Sequence, residues 1–161
     1  MADTRAYERA LRPLLGQAGA YARAVLRSRP EAEDAVQQAA LKGWERIGQY
    51  DATRPFKGWF FAILRNCCLD ALRHAKASRT QRLDGIDPPA PDEPEVFDWQ
   101  RLADGMARLS EPHREILQLK YFGELSYDEI AESLDIPKGT VMSRLHMARK
   151  ALAMLVCKED S

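Results

Sequence analysis

Leu125 to Leu155, LSYDEIAESLDIPKGTVMSRLHMARKALAML, limits what this chain can fold into more than any other stretch. Its spacing predicts two helices with a tight turn between them. Ser126 and Glu129 stand three apart, the capping-box spacing in which their side chains satisfy backbone N–H groups at a helix start. Ile130, Ala131 and Leu134 follow at helical spacing, and Ala131 is small enough for another helix to cross closely. Asp135, Ile136 and Pro137 end that helix, and Pro137 suits the first turn of the next. Val141, Leu145, Ala148, Leu152 and Leu155 then advance by four, three, four and three, which makes one buried stripe.

A pair of this kind displays its second helix in the major groove of DNA. At about 100° per residue, Gly139, Ser143, His146 and Lys150 lie opposite the buried stripe, with Thr140 and Met147 beside them. Arg144 falls on one flank, Lys138 and Arg149 on the other. Short polar groups between long cations suit reading base edges while gripping two phosphate strands. The competing reading is an amphipathic helical hairpin with a solvated outer face.

A formal net charge of zero conceals strong segregation. Residues 1–83 carry fifteen basic and eight acidic side chains, a net +7. Residues 84–98 carry six acids and no base, and residues 99–161 nine bases and ten acids. The basic first block calls for an anionic partner. No stretch approaches the roughly 20 apolar residues of a membrane span, and residues 1–12 lack the apolar core of a signal peptide, so a cytoplasmic protein is expected. Cys67, Cys68 and Cys157 form neither a disulfide framework nor a paired zinc spacing. Adjacent Cys67 and Cys68 read as buried thiols on a helix.

The first block reads as helical throughout. Thr4–Leu11 is a short first helix, Pro13 opens a second running to Leu26, and Ser28-Arg29-Pro30-Glu31 restarts a third that reaches Ile47. On the third, Val36, Ala40, Gly43, Trp44 and Ile47 are expected to face the core, with Asp34, Gln37, Gln38, Leu41, Lys42 and Glu45 on other faces. A polar loop, 49–57, precedes a helix over 58–77. That helix carries Phe60, Ile63, Leu64, Cys67 and Ala71 on one side. Trp59, Asn66 and Arg73 recur at intervals of seven on the other, with Arg65, Leu69 and Lys76 adjacent. An aromatic, an amide and several cations on one face are what single-stranded nucleic acid requires: stacking for bases, charge for the backbone, amides for base edges. The plainer alternative is that Trp59 fills a small core and the arginines are solvated.

Asp84–Asp98 (DGIDPPAPDEPEVFD) has four prolines and six acids, cannot bury enough apolar surface to fold alone, and reads as a semi-extended linker. Beyond it, a helix carrying Leu102, Met106 and Leu109 precedes another capped by Ser110 and stopped by Gly123. The expected architecture is all-α: two small helical domains, 1–83 and 99–161, joined by the flexible acidic linker 84–98.

The segments EAEDAVQQAALKGW (31–44), FKGWFFAILRNCCLDALR (56–73) and LSEPHREILQLKYFGELSYDEIAESLDIPKGTVMSRLHMARKAL (109–152), in this order around an acidic linker, resemble a bacterial RNA polymerase sigma factor of the extracytoplasmic-function (ECF) group. Members of that group retain only the second and fourth sigma regions. The resemblance implies that Asp34, Gln38, Leu41 and Trp44 dock on the clamp helices of the polymerase β′ subunit. It implies that Trp59, Arg65, Asn66 and Arg73 melt the −10 promoter element and capture an unpaired base. It assigns duplex reading of the −35 element to Lys138, Thr140, Ser143, Arg144 and Arg149. Expected partners are core RNA polymerase (β′ clamp helices and β subunit), promoter DNA and an anti-sigma factor, without membrane insertion. Met142 and Met147 depart from the pattern, since the family often has cations there, and fewer cations weaken the salt-dependent phosphate contribution. No Ser/His/Asp set, HExxH, Walker motif or glycine-rich phosphate loop is present, and His74, His113 and His146 are isolated, so neither enzyme activity nor a metal or cofactor is expected. Two alternatives remain: a helix-turn-helix regulator acting without polymerase docking, and an adaptor that binds an anti-sigma factor but no promoter.

Overall fold

A computed structural model describes residues 3–79 and 99–157, all of them helix or short connection. The acidic segment 84–98 lies outside the described residues. Asp3 caps α1 (Thr4–Leu11) by accepting from the Arg5 amide at 3.0 Å. Pro13 lies in a 3-10 turn, Arg12–Leu14, and α2 (Leu15–Leu26) begins after it, rather than at Pro13 as its spacing predicts. Arg27 ends α2 in the left-handed region (φ 55°). Ser28 caps α3 (Arg29–Arg46) by accepting from the Glu31 amide at 3.4 Å, with Pro30 in the first turn where its missing N–H leaves no bond unmade. A 3-10 turn, Ile47–Gln49, and the 50–55 loop lead to α4 (Phe56–Arg79). In the second half, α5 (Trp99–Arg108), α6 (Glu111–Tyr121), α7 (Tyr127–Leu134) and α8 (Lys138–Cys157) follow.

On α3, Val36, Ala40, Gly43 and Ile47 face the core as expected, but the most buried line runs through alanines and Trp44 does not join it. Ala32, Ala35, Ala39 and Gly43 are buried, while Val36, Ala40 and Ile47 are half-buried and Trp44 is exposed. Tyr7 sets this register: its hydroxyl donates to the Ala40 carbonyl at 2.6 Å, and a Cβ at Gly43 would overlap that hydroxyl. Small side chains therefore form the contact stripe, and Trp44 packs sideways on the Tyr7 ring at 5.6 Å.

Across the second half, Ser126 and Glu129 form the expected capping box at the start of α7, with bonds of 2.8 and 3.2 Å. Asp135 ends α7 with φ 54°. Val141, Leu145 and Ala148 are fully buried and Leu152 and Leu155 half-buried, so the predicted stripe is the inner face of α8. Ser110 stands at the N-cap of α6 without a side-chain capping bond. Arg114 instead ties the α5–α6 corner, donating to the carbonyls of Met106, Ala107 and Leu109 at 2.8–3.3 Å. The left-handed residue after α6 is Glu124 (φ 55°), not Gly123. Gly123 answers a different need: a Cβ there would stand 2.9 Å from a Phe61 ring carbon and 2.8 Å from Leu125 Cδ1.

That contact crosses between the two halves. Helix α7 packs on α4 and α6 touches α2, so the buried side chains of both halves form one continuous core. Phe61, stacked edge-on against Tyr21 at 5.6 Å, is fully buried in it. Burying one such ring stabilises a fold by about 1.5–3 kcal/mol.

Candidate nucleic-acid interface

Phe56, Tyr50 and Trp59 pack as a triangle with ring centroids 5.1–5.6 Å apart, and Tyr7 extends it from Phe56 (6.2 Å) to Trp44. Trp59 is half-buried, one side of its ring held by neighbours. The loop before it is ordered by its own polar groups. Asp51 accepts from the Thr53 amide (3.0 Å) and hydroxyl (2.7 Å), bonds that hold its carboxyl below the usual range. The Tyr50 hydroxyl donates to the Arg54 carbonyl at 2.6 Å, and burial, followed by the nearby Asp51 and Glu132 charges, raises its pKa.

About two and four turns beyond Trp59, Asn66 and Arg73 line a groove between α4 and α3 whose opposite wall is Lys42 and Arg46. Asn66 and Arg73 are exposed, and Arg73 meets Asp70 at 3.1 Å in a solvated pair that a phosphate can displace at little cost. The groove presents three cations and an amide against one carboxylate. Arg65 is not in it: it is half-buried and ion-paired with Glu115 of α6.

On the outer side of α3, Asp34, Gln38, Leu41 and Trp44 form one exposed stripe, opposite the alanines. Gln38 donates to Asp34 at 3.0 Å, and Leu41 is 65% exposed.

Helix α8 presents Gly139, Ser143, His146, Met147 and Lys150 to solvent, with Thr140 and Arg144 partly shielded beside them. Its flanking cations are positioned by neighbours. Arg149 donates to the Tyr121 hydroxyl at 2.6 Å and lies over that ring, which raises its pKa further. Lys138 stands 3.4 Å from Asp128 in an exposed pair. Among the described residues no cluster could hold a metal ion, and no helix is long and apolar enough to cross a membrane.

The family models match in chain order. Residues 7–78 match sigma-70 region 2, and residues 99–152 match sigma-70 region 4. The ECF RNA polymerase sigma factor SigL of Mycobacterium tuberculosis is 36% identical over 132 residues, covering 77% of this chain and 73% of that relative. The chain belongs to the ECF sigma factors. SigW of Bacillus subtilis, another ECF RNA polymerase sigma factor, is 32% identical over 141 residues (76% of this chain, 73% of the relative). A solved relative, the sigma factor RpoE of Bartonella quintana in complex with the anti-sigma factor NepR, superposes with a TM-score of 0.73 at 25% identity, covering 95% of this chain and 98% of that one. The role of this chain is thus that of an alternative sigma factor, a subunit that directs RNA polymerase to promoters.

Within this sigma factor, the region 2 match runs from inside α1 to near the end of α4, and the region 4 match runs from the start of α5 to three-quarters of the way along α8. Of the four region 2 residues singled out from sequence, Asn66 and Arg73 share the groove, Trp59 lies on the same helix face within the aromatic cluster, and Arg65 points to region 4. Lys42 and Arg46 were missed as groove residues. Their signal was present: both are basic and sit on the opposite side of α3 from Asp34, but nothing local says which helix they face.

Proposed function

We propose that this ECF sigma factor works through two separate modules, 1–83 and 99–161, joined by the acidic segment 84–98. Polymerase docks on Asp34, Gln38, Leu41 and Trp44 of α3. Trp59, Asn66 and Arg73, with Lys42 and Arg46, hold the melted −10 strand, and Arg65 joins them as a phosphate contact. Lys138, Thr140, Ser143, Arg144 and Arg149 read the −35 duplex. No catalytic residue is involved. Function is a difference in binding energy, in which capture of unpaired bases offsets the cost of melting. The protein works in the cytoplasm with core polymerase, and an anti-sigma factor of the kind bound to the Bartonella relative holds it inactive.

The observation that carries this reading is the groove itself: an amide and three cations on two helices, starting about two turns from a half-buried tryptophan, opposite in direction to the exposed α3 stripe. Stacking on an aromatic is worth about 1–3 kcal/mol per base. Trp59→Ala and Asn66→Ala should therefore each lower transcription in vitro by about tenfold or more while leaving affinity for core polymerase unchanged. A stand-alone duplex-binding regulator would be insensitive to both substitutions, and that result would refute the assignment.

A further inference from the structure

We propose that Met142 and Met147 make α8 a reader of thymine methyl groups, so that T·A pairs in the −35 element are selected by apolar contact rather than guanines by a cation. This rests on the duplex-reading role given to α8 above, and adds which base that helix selects. Base edges are met by the first turns of a recognition helix. Over 139–147 the exposed residues of α8 are Gly139, Met142, Ser143, His146 and Met147. Met142 is 52% exposed and Met147 53%. Five residues turn a helix by about 140° at about 100° each, so the two thioethers stand on either side of Ser143 and His146.

A single exposed methionine is an ordinary solvated side chain. Two of them on the face that enters DNA lose their water when the groove closes over the helix. The apolar group that base edges offer them there is the C5 methyl of thymine. That methyl lies toward the backbone of its own strand, so side chains on the flanks of the helix reach it. The polar groups nearby are directed elsewhere. The Ser143 hydroxyl donates to the Thr140 carbonyl at 3.2 Å, which leaves its oxygen only as an acceptor. Lys138 is drawn to Asp128 at 3.4 Å, and Arg149 donates to the Tyr121 hydroxyl at 2.6 Å. Arg144 is half-buried, and Lys150 faces outward only about three turns along from Lys138. Guanine is read above all by a bidentate Arg or Lys, and neither stands among the exposed residues of 139–147. The want of a guanine reader and the paired thioethers point the same way.

Holoenzyme assembled from core polymerase and the full chain can be used to enrich promoters from a randomised duplex library. Each thymine of the enriched upstream element is then replaced by deoxyuridine, which removes the methyl and keeps every hydrogen-bonding atom of the base. Competition between the two duplexes should favour thymine by about fourfold at each contacted position, the effect of one methyl removed from water. The salt slope should not change, because no phosphate contact is lost. Met142→Gln and Met147→Gln replace side chains that stand in solvent, so the packing of α8 is kept; each should bring the ratio to about one at the position it reads. An enriched element without thymine, equal binding of the thymine and deoxyuridine duplexes, or a preference for thymine that survives in both variants would overturn the inference while leaving the duplex-reading role intact. If no upstream element is enriched at all, that role fails and the inference falls with it.

Discussion

Cys67 and Cys68 sit side by side in α4 with both thiols buried, whereas Cys157 is exposed at the end of α8. Burial raises the Cys67 pKa, with Lys42 and Arg46 opposing the shift, and pushes Cys68 up to about 12. Because the thiolate is the reactive form, an alkylating reagent at pH 8 should modify one thiol per chain quickly and the other two only on unfolding. Mass spectrometry after timed quenching would show this, and rapid modification of Cys67 or Cys68 would contradict the packing of α4. Residue identity alone made these thiols legible as buried, since two adjacent small apolar groups on a helix with Phe60 and Leu64 have few other places to go. It did not reveal the fate of Arg65. Arg65 and Asn66 are neighbours in sequence, but about 100° of helical rotation sends one to Glu115 and the other into the groove. Gly123 was misread for a similar reason. A glycine after a helix suggests a left-handed turn, whereas here Glu124 takes that conformation and Gly123 makes room for Phe61.

Among the elements, helices with strong end signals were read nearly to the residue: α1, the start of α3, and α7 with its capping box. Those ends are set by local hydrogen bonds, so local sequence suffices. The most buried line of α3 was not readable this way. Hydrophobicity favours Val36 and Trp44, but the Tyr7 hydroxyl and the closeness of Gly43 select the alanine stripe. The capping box also yields an energetic expectation. Ser126→Ala removes the side-chain acceptor at the start of α7 and should cost about 0.5–2 kcal/mol, lowering the urea midpoint of the second module. An unchanged midpoint would mean that α7 is held by its packing on α4 and α8 alone.

On the scale of the whole molecule, the sequence separates into a basic helical block, an acidic proline-rich stretch and a helix-turn-helix block, and the two family matches fall on the first and last of these. What could not be read is that the blocks pack together. The contact buries Phe61 among apolar side chains of both blocks and needs two glycines for its close approach, so no single block's own pattern marks it; only the three-dimensional approach of α7 to α4 discloses it. The total of zero is uninformative because the acids of residues 84–98 offset most of the net +7 of the first block, and the sum hides the segregation. Through both modules together, this chain is expected to confer promoter recognition on core polymerase. Run-off transcription from a randomised promoter library, with and without the protein, tests it most directly. Protein-dependent transcripts whose templates share two spaced upstream elements are expected; core polymerase that neither binds the protein nor starts such transcripts would overturn promoter recognition by this chain.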